Sequence, residues 1–583
     1  PAGGGEPVYV GRIGLKDRGG RTLLVDWRTP AAEPFFAATT AEPMGLASRR
    51  RYRWSLGRVV DYWDEVLAAG SGGSAAAGRR ARAGLALDAE SSFLASLGQS
   101  RTRRMRDVLG TLAADQDAII RADSHGPLLV DGGPGTGKTV VALHRAAYLL
   151  YADPLLTRGG GSVLFIGPHE GYLAYVADVL PSLGDDGVQT ATLADLVPEA
   201  AGAGVERDSR AAELKSSSVL VEAIEPAVAF YETPPTEVLE VETPWGGVRF
   251  GRRDWADAFA AVAPGTPHNE ARAQIWDELA EIATAKLVAA GADEDVVSVE
   301  AVGTQLRRDD ELTDALSRSW PLLDPTDVVA DLWEVPAYLR HCAPSLTPEE
   351  RIALRRNMPR AWTAADLPLL DAARHRLGDV DAERRERRRL AREAAARAEM
   401  DSVIEHLIAS DDSEMHVMSM LKVDDLRGAL LRDAGGAGPD ADVLAGPFTH
   451  VVVDEAQELT DAQWAMILRR CPSRSLTIVG DRAQARHGFT QSWLERLGRV
   501  GLERVRMSSL TINYRTPAEV MEYAAPVILE VLPDANVPTS IRRSGMPVRH
   551  GAVADLVGVV RDWLARHDEG IAAVIVGEAA APS

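Results

Sequence analysis

The residues best suited to chemistry form a glycine-rich loop that begins at Gly132 and ends at Thr139. Glycine lets a backbone adopt conformations that other residues rarely take, so successive N–H groups can turn toward phosphate oxygens. The side chain of Lys138 can reach terminal phosphates, and the hydroxyl of Thr139 is suited to bind Mg²⁺. The pattern therefore predicts a site for a nucleoside triphosphate and Mg²⁺. The predicted cofactor-binding residues of the loop are Gly132, Gly133, Pro134, Gly135, Thr136, Gly137, Lys138 and Thr139.

The residues around this loop have the order of elements that such a site requires. An apolar run at 127–130 precedes the loop and predicts a buried strand, and the run at 140–150 has apolar residues at helical spacing. A strand, a loop and a helix in this order distinguish a phosphate-binding loop from a glycine-rich turn. A turn without a ligand is therefore the less favoured interpretation.

A pair of carboxylates, Asp454 and Glu455, follows another apolar run at 448–453. The carboxylate of Asp454 is suited to hold Mg²⁺, and that of Glu455 is suited to take a proton from an attacking water molecule. Two exposed acidic residues without a catalytic role are the alternative. Because the pair ends a predicted buried strand in a chain that also has a phosphate-binding loop, a nucleotide hydrolase is favoured.

Four further side chains are candidates for the same site. Gln116 lies in a helix predicted over 106–122, and its amide can donate to adenine N7 and accept from the exocyclic amine. A solvent-facing glutamine is an equally good interpretation. Gln484 follows a further apolar run and can orient water or contact the γ-phosphate. Tyr514 can stack on adenine, and Arg515 is a candidate arginine finger.

Composition limits the class of protein. The hydrophobic content of 46% is ordinary for a globular chain, and no uninterrupted apolar run is long enough to span a bilayer. Cys342 and Cys471 are far apart and lack the spacing of metal ligands, so neither a disulfide framework nor a zinc site is predicted. With no secretion signal at the start of the sequence, the predicted location is the cytoplasm.

The formal net charge of -21 is unevenly distributed. Residues 185–345 contain 31 acidic and 12 basic residues, whereas residues 1–111 contain 17 basic and 11 acidic residues. An acidic chain is poorly suited to general adhesion to nucleic acid, whose phosphates require a basic surface. The run at 49–54 mixes arginine with aromatic residues and can hold phosphates or stack on bases, with a charged strand edge as the alternative.

The candidate residues, taken in chain order, resemble the motor motifs of superfamily 1 helicases of the UvrD type. The resemblance implies two RecA-like α/β domains with ATP and Mg²⁺ bound between them. Four runs are more narrowly similar to HelD-type proteins. These runs are Tyr9–Leu15, Leu24–Ala32, Gly133–Arg145 and Trp362–Asp371.

HelD-type proteins are helicase-like ATPases that bind bacterial RNA polymerase and release it from nucleic acid. The resemblance implies a monomeric protein from an actinobacterium whose partner is the polymerase core. It also implies that the protein competes with nucleic acid for the polymerase or displaces it. Some actinobacterial relatives also relieve rifamycin inhibition. In the family an N-terminal coiled coil enters the secondary channel of the polymerase, and an inserted domain enters the primary channel. The coiled coil would precede Pro1 and later motor motifs would follow Ser583, so we expect these residues to form part of the motor.

The resemblance and the charge distribution together predict a division of the chain. The predicted segments are a β-rich N-terminal part (1–110), the first part of a RecA-like domain (111–200), an acidic helical insertion (201–345), the second part of that domain with a charged helical arm (346–510), and the start of a second RecA-like domain (511–583).

Two other functions stay open at this point. One is a UvrD-like DNA helicase or translocase, and the other is a polymerase-binding module whose ATP site only sets its conformation. A protein that tracks along DNA is expected to carry basic surfaces, whereas an acidic helical domain suits a basic nucleic-acid channel on a polymerase. The acidic domain therefore favours RNA polymerase as the partner, and acidity that only keeps the domain soluble is the alternative interpretation.

Overall fold

The computed structural model describes residues 6–39, 42–55, 58–67, 114–157, 162–179, 187–294, 296–380, 444–486, 488–566 and 573–575. The strands in these ranges are β1 (Val10–Gly11), β2 (Leu15–Lys16), β3 (Thr22–Asp26), β4 (Ser48–Ser55), β5 (Arg58–Val66), β6 (Pro127–Gly132), β7 (Val163–Ile166), β8 (Val188–Ala191), β9 (Leu239–Thr243), β10 (Gly246–Phe250), β11 (His450–Val453), β12 (Leu476–Gly480), β13 (Arg506–Leu510), β14 (Ile512–Asn513) and β15 (Thr539–Ser540). The α-helices are α1 (Glu33–Ala37), α2 (Ala114–Arg121), α3 (Lys138–Ala152), α4 (Pro154–Thr157), α5 (Glu170–Val179), α6 (Ser209–Ser216), α7 (Ser218–Glu222), α8 (Ile224–Ala229), α9 (Arg252–Ala260), α10 (His268–Ala289), α11 (Val299–Leu306), α12 (Asp310–Ser319), α13 (Pro325–Glu334), α14 (Pro336–Cys342), α15 (Pro348–Leu354), α16 (Leu367–Leu377), α17 (Asp461–Arg470), α18 (Trp493–Arg499), α19 (Ala518–Val531) and α20 (Leu556–Arg566).

A six-stranded parallel sheet positions the candidate residues. Its strand order is β13-β6-β12-β11-β7-β8, and each neighbouring pair is parallel. The carboxyl ends of parallel strands meet at one edge, so the loops after β6, β11, β12 and β13 come together there. The mixed α/β fold and the predicted strands at 127–130 and 448–453 are confirmed, the apolar run before Gln484 forms β12, and the sheet is consistent with a RecA-like core.

The four inner strands of the sheet are mainly apolar on both sides because helices cover both faces. On β7, Val163 and Phe165 belong to one hydrophobic cluster, whereas Leu164 and Ile166 belong to the other. This alternation is the period of two expected of a strand. The first cluster is completed by α2, α3 and α5. The second is completed by helices that include α13, α16 and α17.

The described residues of the N-terminal part form small β structures. β2 and β3 make an antiparallel hairpin, and β1 pairs in parallel with β3. In the hairpin of β4 and β5, Arg50 donates to Asp64 (2.6 Å) and Arg49 donates to the carbonyl of Phe35 (2.8 Å). These contacts agree with the charged-strand interpretation of the run at 49–54, and contact with nucleic acid stays a prediction.

The acidic segment contains a body with its own core. The strands β9 and β10 form an antiparallel hairpin, and α9 to α12 pack with it around a cluster that includes Trp255, Trp276 and Trp320. The regular elements in the described residues of 201–345 are helices except at this hairpin. In β9, apolar Leu239 and Val241 alternate with exposed glutamates, and that period of two favours a strand. The helices α6 to α8, α13 and α14 of the same segment pack instead in the cluster on the sheet.

The acidic body meets the rest of the chain at the start of α10. Nδ1 of His268 lies 2.9 Å from Oε1 of Glu232, and Nη2 of Arg376 lies 2.9 Å from the same oxygen. Asn269 donates to the carbonyl of Leu323 (3.0 Å) and accepts from its N–H (2.9 Å). His268 and Asn269 are buried. These contacts fix the base of a helix that is 22 residues long.

Several other predictions depend on which residues the structure describes. Thr347 caps α15, and Pro348 lies in its first turn. The helix predicted over 106–122 is described from Ala114, where α2 begins. The charged arm at 379–400 lies outside the described residues after position 380.

In the part of the chain that the structure describes, no helix is both long enough and apolar enough to cross a membrane.

Candidate nucleotide site

The glycine-rich loop connects β6 to α3 at the carboxyl edge of the sheet. Gly135 (φ 73°) and Gly137 (φ 87°) adopt the left-handed conformation that other residues disfavour, and Gly137 caps the start of α3. The Nζ atom of Lys138 is buried within the loop and donates to the carbonyls of Gly132 (2.7 Å) and Gly133 (3.1 Å). The loop therefore has the curvature, the helix N-terminus and the lysine that a phosphate-binding loop needs.

Gly135 is the loop position where a side chain would do most harm. A Cβ atom there would lie 2.3 Å from Oδ1 of Asn513, and the left-handed conformation costs a non-glycine residue roughly 1–2 kcal/mol. We expect Gly135→Ala to weaken ATP binding about tenfold or more, since about 1.4 kcal/mol corresponds to a tenfold change in affinity. Titration with a fluorescent ATP analogue measures the effect.

Gly501→Ala is the matched control for this change. Gly501 has a similar φ of 85°, but no atom lies within 4 Å of the position that its Cβ would occupy. The control should lower thermal stability and leave ATP affinity unchanged. Equal losses of affinity in the two variants would contradict a local effect at the loop.

Asp454 and Thr139 form a pair of oxygen ligands suited to Mg²⁺. The Thr139 hydroxyl donates to Oδ2 of Asp454 (2.7 Å), and the Tyr172 hydroxyl donates to the same oxygen. Burial raises the pKa of Asp454, and the hydrogen bonds from Tyr172 and Thr139 oppose that rise. Among the described residues no cluster of three His, Cys, Asp or Glu could hold a metal alone. Mg²⁺ commonly takes one or two carboxylates and completes its shell with phosphates and water.

Glu455 is held in an uncommon backbone conformation at the end of β11. Its φ of 54° is left-handed, and its carboxylate Oε2 accepts from Nε2 of Gln457 (2.6 Å). The Oε1 atom of Gln457 accepts the N–H of Asp481 (3.1 Å), at the end of β12. One buried glutamine side chain thus joins two strand ends and fixes the direction of the Glu455 carboxylate.

Gln484 lies beside the loop through Asp481. Its Nε2 donates to Oδ2 of Asp481 (2.5 Å), and that oxygen is 4.0 Å from Nζ of Lys138. Burial raises the pKa of Asp481, and the charge of Lys138 opposes that rise. The side chain of Gln484 is exposed, so the structure places it at the rim of the site.

Gln116 contacts the phosphate-binding loop directly. It is buried, and its Nε2 donates to the carbonyl of Thr136 (2.9 Å). Arg145 of α3 supports the C-terminal end of α2. Its guanidinium donates to the carbonyls of Ala122 (2.6 Å) and Asp123 (2.7 Å), which directly follow that helix. This arrangement disfavours the solvent-facing interpretation of Gln116, and the reading of adenine stays a prediction.

Tyr514 and Arg515 lie against the other side of the loop. The N–H of Tyr514 donates to the carbonyl of Gly135 (3.0 Å), and Oδ1 of Asn513 accepts the N–H of Arg515 (3.0 Å). The side chain of Arg515 is exposed and that of Tyr514 is partly buried. The two residues are therefore adjacent to the loop, while adenine stacking and an arginine finger stay predictions.

A second segment after α19 also covers the loop. Nδ2 of Asn536 donates to the carbonyls of Asp131 (3.1 Å) and Leu510 (3.2 Å). A Cβ atom at Gly133 would lie 2.3 Å from Cδ of Pro538, so only glycine permits this approach. The loop is consequently enclosed by the sheet on one side and by residues after β13 on the other.

A comparison with protein families gives a match to part of the chain. Residues 2–80 match the family described as "DNA helicase IV HelD, N-terminal domain". The match supports a HelD-type helicase family. No curated protein matches the chain.

The matched N-terminal segment is joined to the candidate site. Trp27 is buried, and its ring meets the ring of His144 on α3 edge to face at 5.4 Å. Arg121 at the end of α2 donates to the Trp27 carbonyl (2.8 Å). The segment thus packs on the two helices that carry the phosphate-binding loop and Gln116.

Three side chains of the site were assigned no role from the sequence. Gln457 lies two residues after Glu455, and Asp481 lies three residues before Gln484. Their closeness in sequence to predicted site residues was therefore the signal that could have identified them. Tyr172 has no such signal, because only the fold brings α5 to the end of β11. Each of the three contacts a predicted site residue.

Proposed function

We propose that this chain is an ATP-hydrolysing, helicase-like motor of the HelD type that binds bacterial RNA polymerase and dissociates it from nucleic acid. The observation that carries the proposal is the convergence of Lys138, Thr139, Asp454 and Glu455 at one sheet edge, with Gln457 joining the strand ends. The match of residues 2–80 to the HelD N-terminal domain supports the choice of family. The proposed activity belongs to the cytoplasm, where the polymerase is found.

Each candidate residue has a role in the proposed hydrolysis. The loop N–H groups and Lys138 bind the phosphates, and Gln116 and Tyr514 bind the adenine ring. Thr139 and Asp454 hold Mg²⁺, which neutralises charge on the phosphates. Glu455 takes the proton of the attacking water, so its carboxylate must be held toward the γ-phosphate. Gln484 and Arg515 contact the γ-phosphate from the rim.

The acidic body is the proposed contact with polymerase. This body has a core of its own, which lets it project from the sheet. It lies within residues 185–345, which contain the excess of acidic residues. A nucleic-acid channel is basic, so an acidic body can enter it in place of DNA. In the proposed cycle, ATP binding and hydrolysis move the residues after β13 relative to the sheet, and this movement drives release of the polymerase. Relief of rifamycin inhibition would follow from the same contact.

Capture of bacterial RNA polymerase core by the full-length protein tests the proposal. We expect capture with and without ATP, and release of the polymerase from a DNA template only with ATP. Neutralising Glu281, Glu300, Glu311 and Asp314 on the acidic body should weaken capture about tenfold and reduce its salt dependence, because steering between opposite charges is lost.

Neutralising four other exposed acidic residues provides the matched control. Glu503, Glu530, Asp555 and Asp562 lie outside the acidic body, and their removal should leave capture unchanged. Equal losses in the two sets would mean that net charge alone matters. DNA-stimulated ATPase activity with duplex unwinding and no capture of polymerase would instead favour a UvrD-like helicase.

A further inference from the structure

Tyr172 reaches the proposed magnesium site from a different element than its predicted ligands. It lies in the first turn of α5, while Thr139 begins α3 and Asp454 ends β11. Its hydroxyl donates to Oδ2 of Asp454, the same oxygen that accepts from Thr139. The other oxygen, Oδ1, accepts the N–H of Glu455 (2.9 Å). The carboxylate of Asp454 is therefore held at both oxygens, and two of its three donors are side-chain hydroxyls.

The chain around Tyr172 is built to hold that hydroxyl in place. The N–H of Tyr172 lies 3.0 Å from the carbonyl of His169 and 3.1 Å from its Nδ1, which caps the helix. At the end of β7, a Cβ atom on Gly167 would lie 2.7 Å from Cδ2 of Leu173 and 2.9 Å from Cδ1 of the tyrosine ring, so a larger residue would crowd both side chains. The ring is partly buried against the hydrophobic cluster that contains α3. Its direction is fixed by the helix cap, by the glycine and by packing.

We infer that Tyr172 is a positioning residue for Mg²⁺, which holds the Asp454 carboxylate beside Thr139 in the orientation that accepts the ion. The inference rests on the proposed ATP and Mg²⁺ site. Hydrogen bonds from outer residues orient ligands and set their affinity for a metal, and loss of such a partner commonly lowers metal affinity about 10- to 100-fold. The phenol need not contact the nucleotide, so its effect should be confined to steps that depend on the metal.

Tyr172→Phe in the full-length protein tests this role, because it removes the hydroxyl and keeps the ring. Binding of a fluorescent ATP analogue is measured without divalent cation and then at increasing Mg²⁺. Electron paramagnetic resonance with Mn²⁺ and ATP provides a readout that does not depend on turnover. We expect unchanged affinity for the analogue without metal and an increase of about tenfold in the Mg²⁺ or Mn²⁺ concentration needed for half-saturation.

Tyr338→Phe is the matched control, since the Tyr338 hydroxyl donates to the carbonyl of Ala227 (2.7 Å) in the cluster on the opposite face of the sheet. It should leave metal dependence unchanged. Gly167→Ala, which crowds Leu173 and the tyrosine ring but keeps the hydroxyl, should raise the metal requirement as Tyr172→Phe does.

An unchanged metal requirement in Tyr172→Phe would overturn the inference. So would equal losses of nucleotide affinity with and without metal, which would indicate a structural role alone. If the unsubstituted protein binds no ATP analogue, the proposed function fails. If it binds the analogue with Mg²⁺ and Tyr172→Phe behaves identically, only the inference on Tyr172 fails.

Discussion

Glu455→Gln is expected to bind ATP and Mg²⁺ normally and to hydrolyse ATP about 10²- to 10⁴-fold more slowly, the usual contribution of a general base. The amide has nearly the shape of the carboxylate but cannot take the proton of the attacking water. Its neighbour Gln457 still joins the ends of β11 and β12 through Asp481. Single-turnover ATP hydrolysis together with titration of a fluorescent ATP analogue separates chemistry from binding.

Two measurements decide what the loss means. Glu503→Gln, at an exposed position outside the site, should hydrolyse ATP at the unsubstituted rate. If Glu455→Gln hydrolysed ATP normally, another group would have to act as the base. If Glu455→Gln retained the ability to release polymerase from DNA, the ATP site would only set conformation and the protein would be a binding module.

Asp366→Asn is expected to lower the free energy of unfolding by about 3–5 kcal/mol, as loss of one partner from a buried ion pair commonly does. The Asp366 carboxylate is fully buried and lies 3.0 Å from Nζ of Lys215 and 2.8 Å from Nη1 of Arg356. It also accepts the N–H of Thr363 (2.9 Å). The amide would leave Lys215, which is itself buried, with one carboxylate partner fewer. Urea denaturation followed by circular dichroism measures the change.

An exposed ion pair is the control for this effect. Asp257 lies 3.7 Å from Arg253 on the surface of the acidic body, and Asp257→Asn should change stability by less than about 1 kcal/mol. Similar losses in the two variants would show that burial does not govern the effect.

The same carboxylate makes stability depend on pH. Burial would raise the pKa of Asp366, but the charges of Lys215 and Arg356 outweigh it and hold the pKa below its ordinary value of 3.8. The folded state therefore binds the proton less tightly than the unfolded chain does. Its contribution is present above pH 3.8 and is lost as the pH falls through the lower folded pKa. Asp366→Asn should flatten this part of the pH–stability curve.

The sequence predicted the parts of the site that depend on local order. Asp454 and Glu455 directly follow one strand, and Lys138 and Thr139 begin the helix after the loop that follows another. Parallel strands bring their ends to one edge. Gln116 could be predicted as a candidate, but its contact with Thr136 depends on the packing of two helices. The inner strands of the sheet were predictable because their residues are mainly apolar on both faces.

Contacts between distant parts of the chain could not be predicted in this way. The 362–371 run, similar to HelD-type proteins, contains two buried aspartates whose partners lie elsewhere in the sequence. Asp366 is paired with Lys215, and Asp371 with Arg469 and Arg470. No spacing within the run specifies those partners. The same limit applies to Tyr172 and to the residues after α19 that cover the loop.

The contacts at the base of α10 have a mechanical consequence. A helix of 22 residues is about 33 Å long at about 1.5 Å per residue, and His268 and Asn269 hold one end of it. Glu232 and Leu323 hold this end of α10 to the rest of the chain. By geometry, a rotation of about 5° at this end would carry the far end of the helix through about 3 Å. Any small rotation at the base of α10 is therefore magnified at the far end of the helix.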